Sequence, residues 1–258
     1  MTGTIVLIHG AWVTPQSWDV FRAPFEDAGF NLLAPAWPMV GDHPAAELNA
    51  HPPAGFGGLG VGAIVDHLEA VIRALPERPI LLGHSVGGLL TQLLLDRGVG
   101  AAAVVLNPVP IGGLLPGPSA WRAIAPILLR AHGWNRPYRF TRERFGRLYA
   151  NGAPAVQVDE AYDRYVIPAP GRIFHQAAFW SGTWVDPRRR TQPLLITGGT
   201  EDRLVSPYLS RAAFRRQCHS AAPTDYVEFA GRSHFLIAEP GWEEVAARAL
   251  EWIGNLRR

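Results

Sequence analysis

The sequence contains no lysine: all 24 of its Lys/Arg positions are arginine. That excludes chemistry through a lysine Schiff base or a lysine general base. A single cysteine, Cys218, rules out an intrachain disulfide, so the fold does not depend on an oxidising compartment. Charge is sparse as well. Charged residues are 18% of the chain and the net charge is +2, too little of one sign to point to nucleic acid or a membrane surface as partner. No apolar run approaches the length of a bilayer span. The first strand pattern starts so close to Met1 that no secretion signal is expected, and the cytoplasm is the expected location. His43 and His51 have no partner at metal-ligand spacing, so neither a metal nor another cofactor is expected.

What is present fits one large domain, or a domain carrying an insertion: 258 residues, 48% of them hydrophobic. The apolar β-branched run at 4–8 reads as a strand buried on both faces, 101–106 as another buried strand, and 30–34, 80–84, 194–197 and 225–229 as further strands. Helical spacing of apolar residues predicts helices over 15–28, 62–75, 86–98, 207–217 and 241–256. Residues 35–62, rich in Pro, Gly, His and Ala, read as a loop excursion. Residues 112–190 break the alternation. They show no buried strand, and they predict helices over 119–131, 141–151, 159–166 and 171–181 with many of the aromatics. Strands alternating with helices predict an α/β fold, a doubly wound, mostly parallel sheet. Its core would span 1–111 and 191–258, with 112–190 inserted as a helical cap over the strand C-termini, where such sheets bind ligands.

The centre of the pattern is Gly83-His84-Ser85-Val86-Gly87, between the apolar run 80–82 and the helical run that begins at Leu89. A strand running through a tight turn into a helix is the setting of a nucleophile elbow, with the serine strained and its hydroxyl exposed. Gly83 and Gly87 flank the serine because a Cβ at either position would collide with a neighbouring element. The Val86 N–H, at the helix start, is placed to face a developing oxyanion. Two other strand exits carry the remaining chemistry. One is Gly199-Thr200-Glu201-Asp202, the other Gly231-Arg232-Ser233-His234-Phe235. Parallel strands end on one edge, so Ser85, Asp202 and His234 should converge there.

On these motifs, with His9-Gly10 after the first strand, the chain resembles α/β-hydrolase-fold proteins from its first strand to its last helix. It is most similar to the compact members, such as esterases and hydroxynitrile lyases. The resemblance implies a triad of Ser85 as nucleophile, His234 as base and Asp202 as its orienting acid, together with an oxyanion hole and a helical cap. Glu201 is the competing acid. Ala11 and Val86 N–H would form the hole, with Trp12 N–H the alternative donor. His9 is expected to brace that loop, and His84 is set aside because its alternating position turns it from the serine. Arg188, Arg189 and Arg190 read as a solvated loop leaving the cap.

Trp12, Trp121, Phe174, Trp180 and Phe235 are the expected substrate contacts, with Trp37 adding to a largely apolar pocket. No arginine stands where it would anchor a carboxylate, so the expected partner is an uncharged, largely apolar small molecule. The function expected is hydrolysis of a carboxylic ester or lactone through an acyl-enzyme. Two alternatives stand beside it: a C–C lyase of the hydroxynitrile type, against which the missing lysine argues, and a non-catalytic ligand receptor.

Overall fold

The six expected strands form one sheet in the computed structural model, which describes residues 3–256. Its strands are β1 (Thr4–Ile8), β2 (Asn31–Leu33), β3 (Ile80–His84), β4 (Ala102–Leu106), β7 (Leu194–Gly199) and β8 (Thr224–Phe229). Their order is β2-β1-β3-β4-β7-β8, and every neighbouring pair is parallel. Every residue of β3, β4 and β7 is buried. That explains the absence of polar alternation: both faces are covered by helices.

The sheet grows from β1 outward to β2, then returns to add β3 on the other side of β1. The direction of winding thus reverses between β1 and β3, and a crevice opens beyond their C-terminal ends. Gly10 and Ser85 sit on its two sides, so close that a Cβ on Gly10 would lie 2.9 Å from the Ser85 Cβ.

The helices of this part are α1 (Ala23–Asp27), α2 (Ala45–Ala50), α3 (Val61–Arg73), α4 (Val86–Asp96), α9 (Pro207–Gln217) and α10 (Trp242–Asn255). In α3, Ile64, Val65, Leu68 and Ile72 are buried on one stripe. Helix α4 is buried from Val86 to Leu95, which suits its apolar sequence.

Residues 112–190 hold α5 (Pro118–Leu128), α6 (Arg142–Arg144) running into a π-turn (Phe145–Tyr149), α7 (Ala155–Tyr165) and α8 (Gly171–Ala178). Two short strands, β5 (Pro137–Tyr138) and β6 (Ala169–Pro170), pair antiparallel within the segment. They are too short to leave an alternation signal.

Four expectations need correction. The helix over 15–28 is two pieces, a 3-10 turn at Pro15–Trp18 and then α1. Pro24 has no N–H for a helix interior but is at home in a first turn, so the helix restarts there. The excursion over 35–62 contains α2 and a 3-10 turn at Phe56–Gly58. Helix α2 follows Pro44, and Asn49 Nδ2 donates to the Val166 carbonyl (2.8 Å). The helix over 141–151 is a short α-turn that widens into the π-turn at Phe145.

Arg190, finally, is not solvated: it is 1% exposed. Its guanidinium donates to the carbonyls of Gln192, Gln217 and Pro223, to Gln217 Oε1 and to Thr224 Oγ1. Burial lowers its pKa to about 10. These bonds satisfy the charge and tie the end of the inserted segment to α9 and β8. Among the described residues, no helix is long and apolar enough to cross a membrane, and no cluster of His, Cys, Asp and Glu could hold a metal.

Candidate active site

Ser85 sits at φ 57°, ψ −120°, between the last residue of β3 and the first of α4. A non-glycine residue rarely holds this conformation, and the neighbours show what enforces it. A Cβ on Gly83 would lie 2.2 Å from Thr91 Oγ1 and 2.4 Å from the Gly87 carbonyl. One on Gly87 would lie 2.0 Å from the Ile8 carbonyl. Strand and helix pack so closely that only glycine fits at either place. The Ser85 N–H donates to the Leu106 carbonyl (3.0 Å), which holds the turn against the end of β4.

The exits of β7 and β8 bring two more side chains to the serine. His234 Nε2 lies 2.8 Å from Ser85 Oγ, and His234 Nδ1 lies 2.7 Å from Asp202 Oδ2. All three residues are buried. The other carboxylate oxygen, Asp202 Oδ1, accepts the N–H groups of Leu204 (2.7 Å) and Val205 (2.8 Å). Asp202 therefore presents one fixed oxygen to the imidazole, which places the His234 proton on Nδ1 and leaves Nε2 as a base toward Ser85. Glu201, the competing acid, is exposed, and among the described residues only its main chain is engaged, with Asn151 and Arg232.

Beyond β1 the chain turns through Gly10, Ala11 and Trp12, with Trp12 in the left-handed region at φ 67°. His9 donates Nδ1–H to the Gly10 carbonyl (2.9 Å) and stacks on Trp37, ring centroids 4.8 Å apart. Burial lowers the His9 pKa to about 4, so it is neutral near pH 7. The inserted segment straps the turn in place. The Ile167 N–H donates to the Trp12 carbonyl (2.9 Å), the Thr14 N–H donates to the Tyr165 carbonyl (3.1 Å), and Val13 bridges Val166. The Trp12 ring is stacked between Phe140 and Phe174 at 4.0 and 4.5 Å, and its Nε1–H donates to the Tyr138 carbonyl. No acceptor among the described residues takes the Ala11 or the Val86 N–H.

A narrow cavity of about 70 Å³ opens at Ser85 and His234. Apart from those two residues, every lining side chain is apolar. Trp12 and Phe174 are among them. The α5 side is formed by Ala120, Ala123 and Ile124, and the α8 side by Phe174, Ala177 and Ala178.

Three of the five expected contacts do not line it, and neither does Trp37, which is buried against His9. Trp121 belongs to α5 but lies about 100° around the helix from Ala120. Trp180 follows the end of α8 at φ 59°, its indole N–H bound to the Leu114 carbonyl (3.2 Å) and its ring edge-on to Trp184. Phe235 is buried beside His234 against Phe145 and Tyr149.

The structure also brings in residues outside the expected site. Asn107, at φ 44° just after β4, accepts the Gly199 N–H (2.8 Å) and donates to the Ser233 carbonyl (2.9 Å). The Ser233 N–H donates to Glu239 Oε1 (2.7 Å), and its hydroxyl bonds Glu239 Oε2. Burial raises the pKa of that carboxyl. His84 and Tyr149 lie against His234 itself. An asparagine before Pro108 at a strand exit was the one available signal, since Asn tolerates positive φ and bonds neighbouring main chain.

A model of the alpha/beta hydrolase family matches residues 5–248. Among solved structures, the chain is similar to a methylesterase from Arabidopsis at 16% identity and TM-score 0.71, covering 97% of this chain and 98% of that one. It is similar to a monoacylglycerol lipase from Paleococcus ferrophilus at 22% identity and TM-score 0.72, covering 97% and 93%. A pyrethroid hydrolase from Sphingobium faniae matches at 17% identity and TM-score 0.67, covering 98% and 97%. At these identities the likeness establishes the fold. A comparison with curated proteins finds no match.

Proposed function

Since the chain belongs to the alpha/beta hydrolase family, we propose that it is a serine hydrolase that cleaves a carboxylic ester or lactone of a small, apolar substrate. The observation that carries this reading is the unbroken chain Asp202–His234–Ser85, with links of 2.7 and 2.8 Å, opening into a cavity that is otherwise apolar. In this reading Ser85 Oγ attacks the acyl carbonyl as His234 Nε2 takes its proton. The Ala11 and Val86 N–H groups receive the oxyanion, and losing one such donor would cost about 3–4 kcal/mol of transition-state stabilisation. Collapse of the tetrahedral intermediate expels the alcohol, which takes the proton from His234. Water then attacks the Ser85 ester with His234 again as base, releasing the acid and restoring the serine.

Residues 112–190 act as a cap in this account, with α5 and α8 as the walls of the acyl or alcohol site. The apolar lining, without a charged side chain, supports an uncharged substrate. The test is labelling of Ser85 by a fluorophosphonate, followed by turnover of nitrophenyl esters of increasing chain length. Wild type should label and turn over, and Ser85→Ala should do neither while remaining folded. Near wild-type turnover by Ser85→Ala would overturn the assignment.

A further inference from the structure

His84 ends β3, and strand alternation turns its side chain away from the cavity, which it does not line. It is nonetheless fully buried, with Nε2 2.7 Å from the main-chain carbonyl of His234. A carbonyl only accepts, so His84 carries its proton on Nε2 and leaves Nδ1 as an acceptor. Tyr149, at the end of the π-turn, places its hydroxyl 3.5 Å from that Nδ1. The Tyr149 ring meets the His234 imidazole nearly at right angles, centroids 4.8 Å apart. One residue back, the Ser233 carbonyl takes Asn107 Nδ2, and the Ser233 N–H is held by Glu239. The main chain at His234 is thus pinned from several sides. Of these pins, only His84 is covalently next to Ser85.

We propose that His84 is a positioning residue: it clamps the His234 main chain to the strand end that carries Ser85, and Tyr149 holds the clamp in its Nε2–H form. The proposal rests on the reading of Ser85 as nucleophile and His234 as base. It explains why a histidine, with a rigid ring and a donor at its far end, stands inside the elbow motif. The donor bridges β3 to the exit of β8, which the sheet places three strands away. Because one two-residue unit fixes both partners, a shift of the His234 loop cannot occur without breaking the His84 bond. Burial, and after it the neighbouring His234, hold the His84 pKa well below its ordinary value, so the clamp stays neutral. Tyr149 is neutral as well, because burial raises its pKa.

The test uses His84→Leu, which cannot donate, His84→Gln, whose amide N–H reaches a similar distance, and Tyr149→Phe, which keeps the ring. His84→Leu should lower kcat on a small activated ester by about 10–100-fold, the loss expected when reacting groups are misplaced by an ångström or less. KM should stay within about twofold, and fluorophosphonate labelling of Ser85 should slow by the same factor as kcat. His84→Gln should recover most of both rates, and Tyr149→Phe should lose a few-fold. In protein carrying 15N-histidine, the His84 ring should show a protonated Nε2 and a bare Nδ1 between about pH 6 and pH 9.

Wild-type kcat and labelling in a folded His84→Leu protein would overturn the proposal. So would a failure of His84→Gln to recover either rate, or a His84 proton on Nδ1. If His84→Leu does not fold, His84→Gln and the wild-type tautomer still decide the matter. The tautomer is read without turnover. A wild type that neither labels nor hydrolyses esters therefore defeats the nucleophile assignment, while the 15N signals still judge the clamp.

Discussion

Asp202→Asn is the substitution for which the structure fixes the outcome most tightly. Asp202 Oδ1 accepts two main-chain N–H groups, from Leu204 and Val205, at 2.7 and 2.8 Å. An asparagine has one oxygen to offer, and two fixed donors at one end of the group place that oxygen there. Its NH₂ then faces His234 Nδ1, where the carboxylate oxygen stood at 2.7 Å. An NH₂ donates, so Nδ1 must accept and the proton moves to Nε2. A protonated Nε2 cannot take the proton of Ser85. The loss of the correct tautomer costs about 10⁴-fold in kcat in enzymes of this mechanism, about 5 kcal/mol in the transition state.

The side chains are nearly the same size and the site is closed, so the fold should survive. Equal far-UV spectra and similar melting temperatures would check that. The assay is steady-state turnover of the best nitrophenyl ester, with Glu201→Gln as the control. The control should stay within about threefold of wild type, because Glu201 is exposed and among the described residues only its main chain is engaged. A kcat for Asp202→Asn within about tenfold of wild type would refute the tautomer argument. A severe loss in Glu201→Gln with a mild one in Asp202→Asn would reassign the acid.

Two other predictions follow from the cavity and from the buried histidines. Ala177 lines the cavity on the α8 side, and Ala177→Phe should fill part of it. The ratio of kcat/KM for a long-chain ester over an acetate should fall by about 10-fold or more, in keeping with pockets that discriminate by one or two methylenes; an unchanged ratio would remove α8 from the acyl or alcohol site. His9 has its pKa lowered from 6.5 to about 4 by burial, so below 6.5 the unfolded chain binds a proton that the folded chain refuses. Its stability contribution is therefore intact above pH 6.5 and is lost as the pH falls toward 4, by about 3 kcal/mol in total, and His84 adds in the same direction. Urea unfolding at pH 7.5, 5.5 and 4.5 measures this, and a His9→Asn protein should lose part of the slope. Equal stability at all three pH values would contradict the buried neutral histidines.

The sheet and the strand exits that carry Ser85, Asp202 and His234 are legible in the sequence because they rest on local rules. Doubly buried strands read as unbroken apolar runs, and Gly83 and Gly87 are dictated by contacts under 3 Å that hold for any chain making this turn. The inserted segment was harder. Trp121 and Trp180 looked alike in the sequence, yet one sits off the lining face of α5 and the other beyond the end of α8. Their positions depend on where helices stop, and Trp180 adopts a left-handed backbone that no periodicity announces. The π-turn at Phe145–Tyr149 likewise has no sequence period of its own, although it brings Tyr149 to His234. Alternation turns His84 from the serine, and the His234 carbonyl lies on that other side, where no local pattern announces it. Long-range partners such as Asn107 and Ser233, 126 positions apart, are set by topology and leave no local trace.

The proposed hydrolysis requires that Ser85 carry the acyl group during turnover. Intact-mass spectrometry of the protein during steady-state hydrolysis of its best ester tests it directly. A mass increase equal to the acyl group, mapped to Ser85, should form, decay as substrate is exhausted and be absent in Ser85→Ala. Turnover that releases an aldehyde or ketone with no adduct at any time would contradict it, as would ligand binding that raises the melting temperature with neither adduct nor turnover.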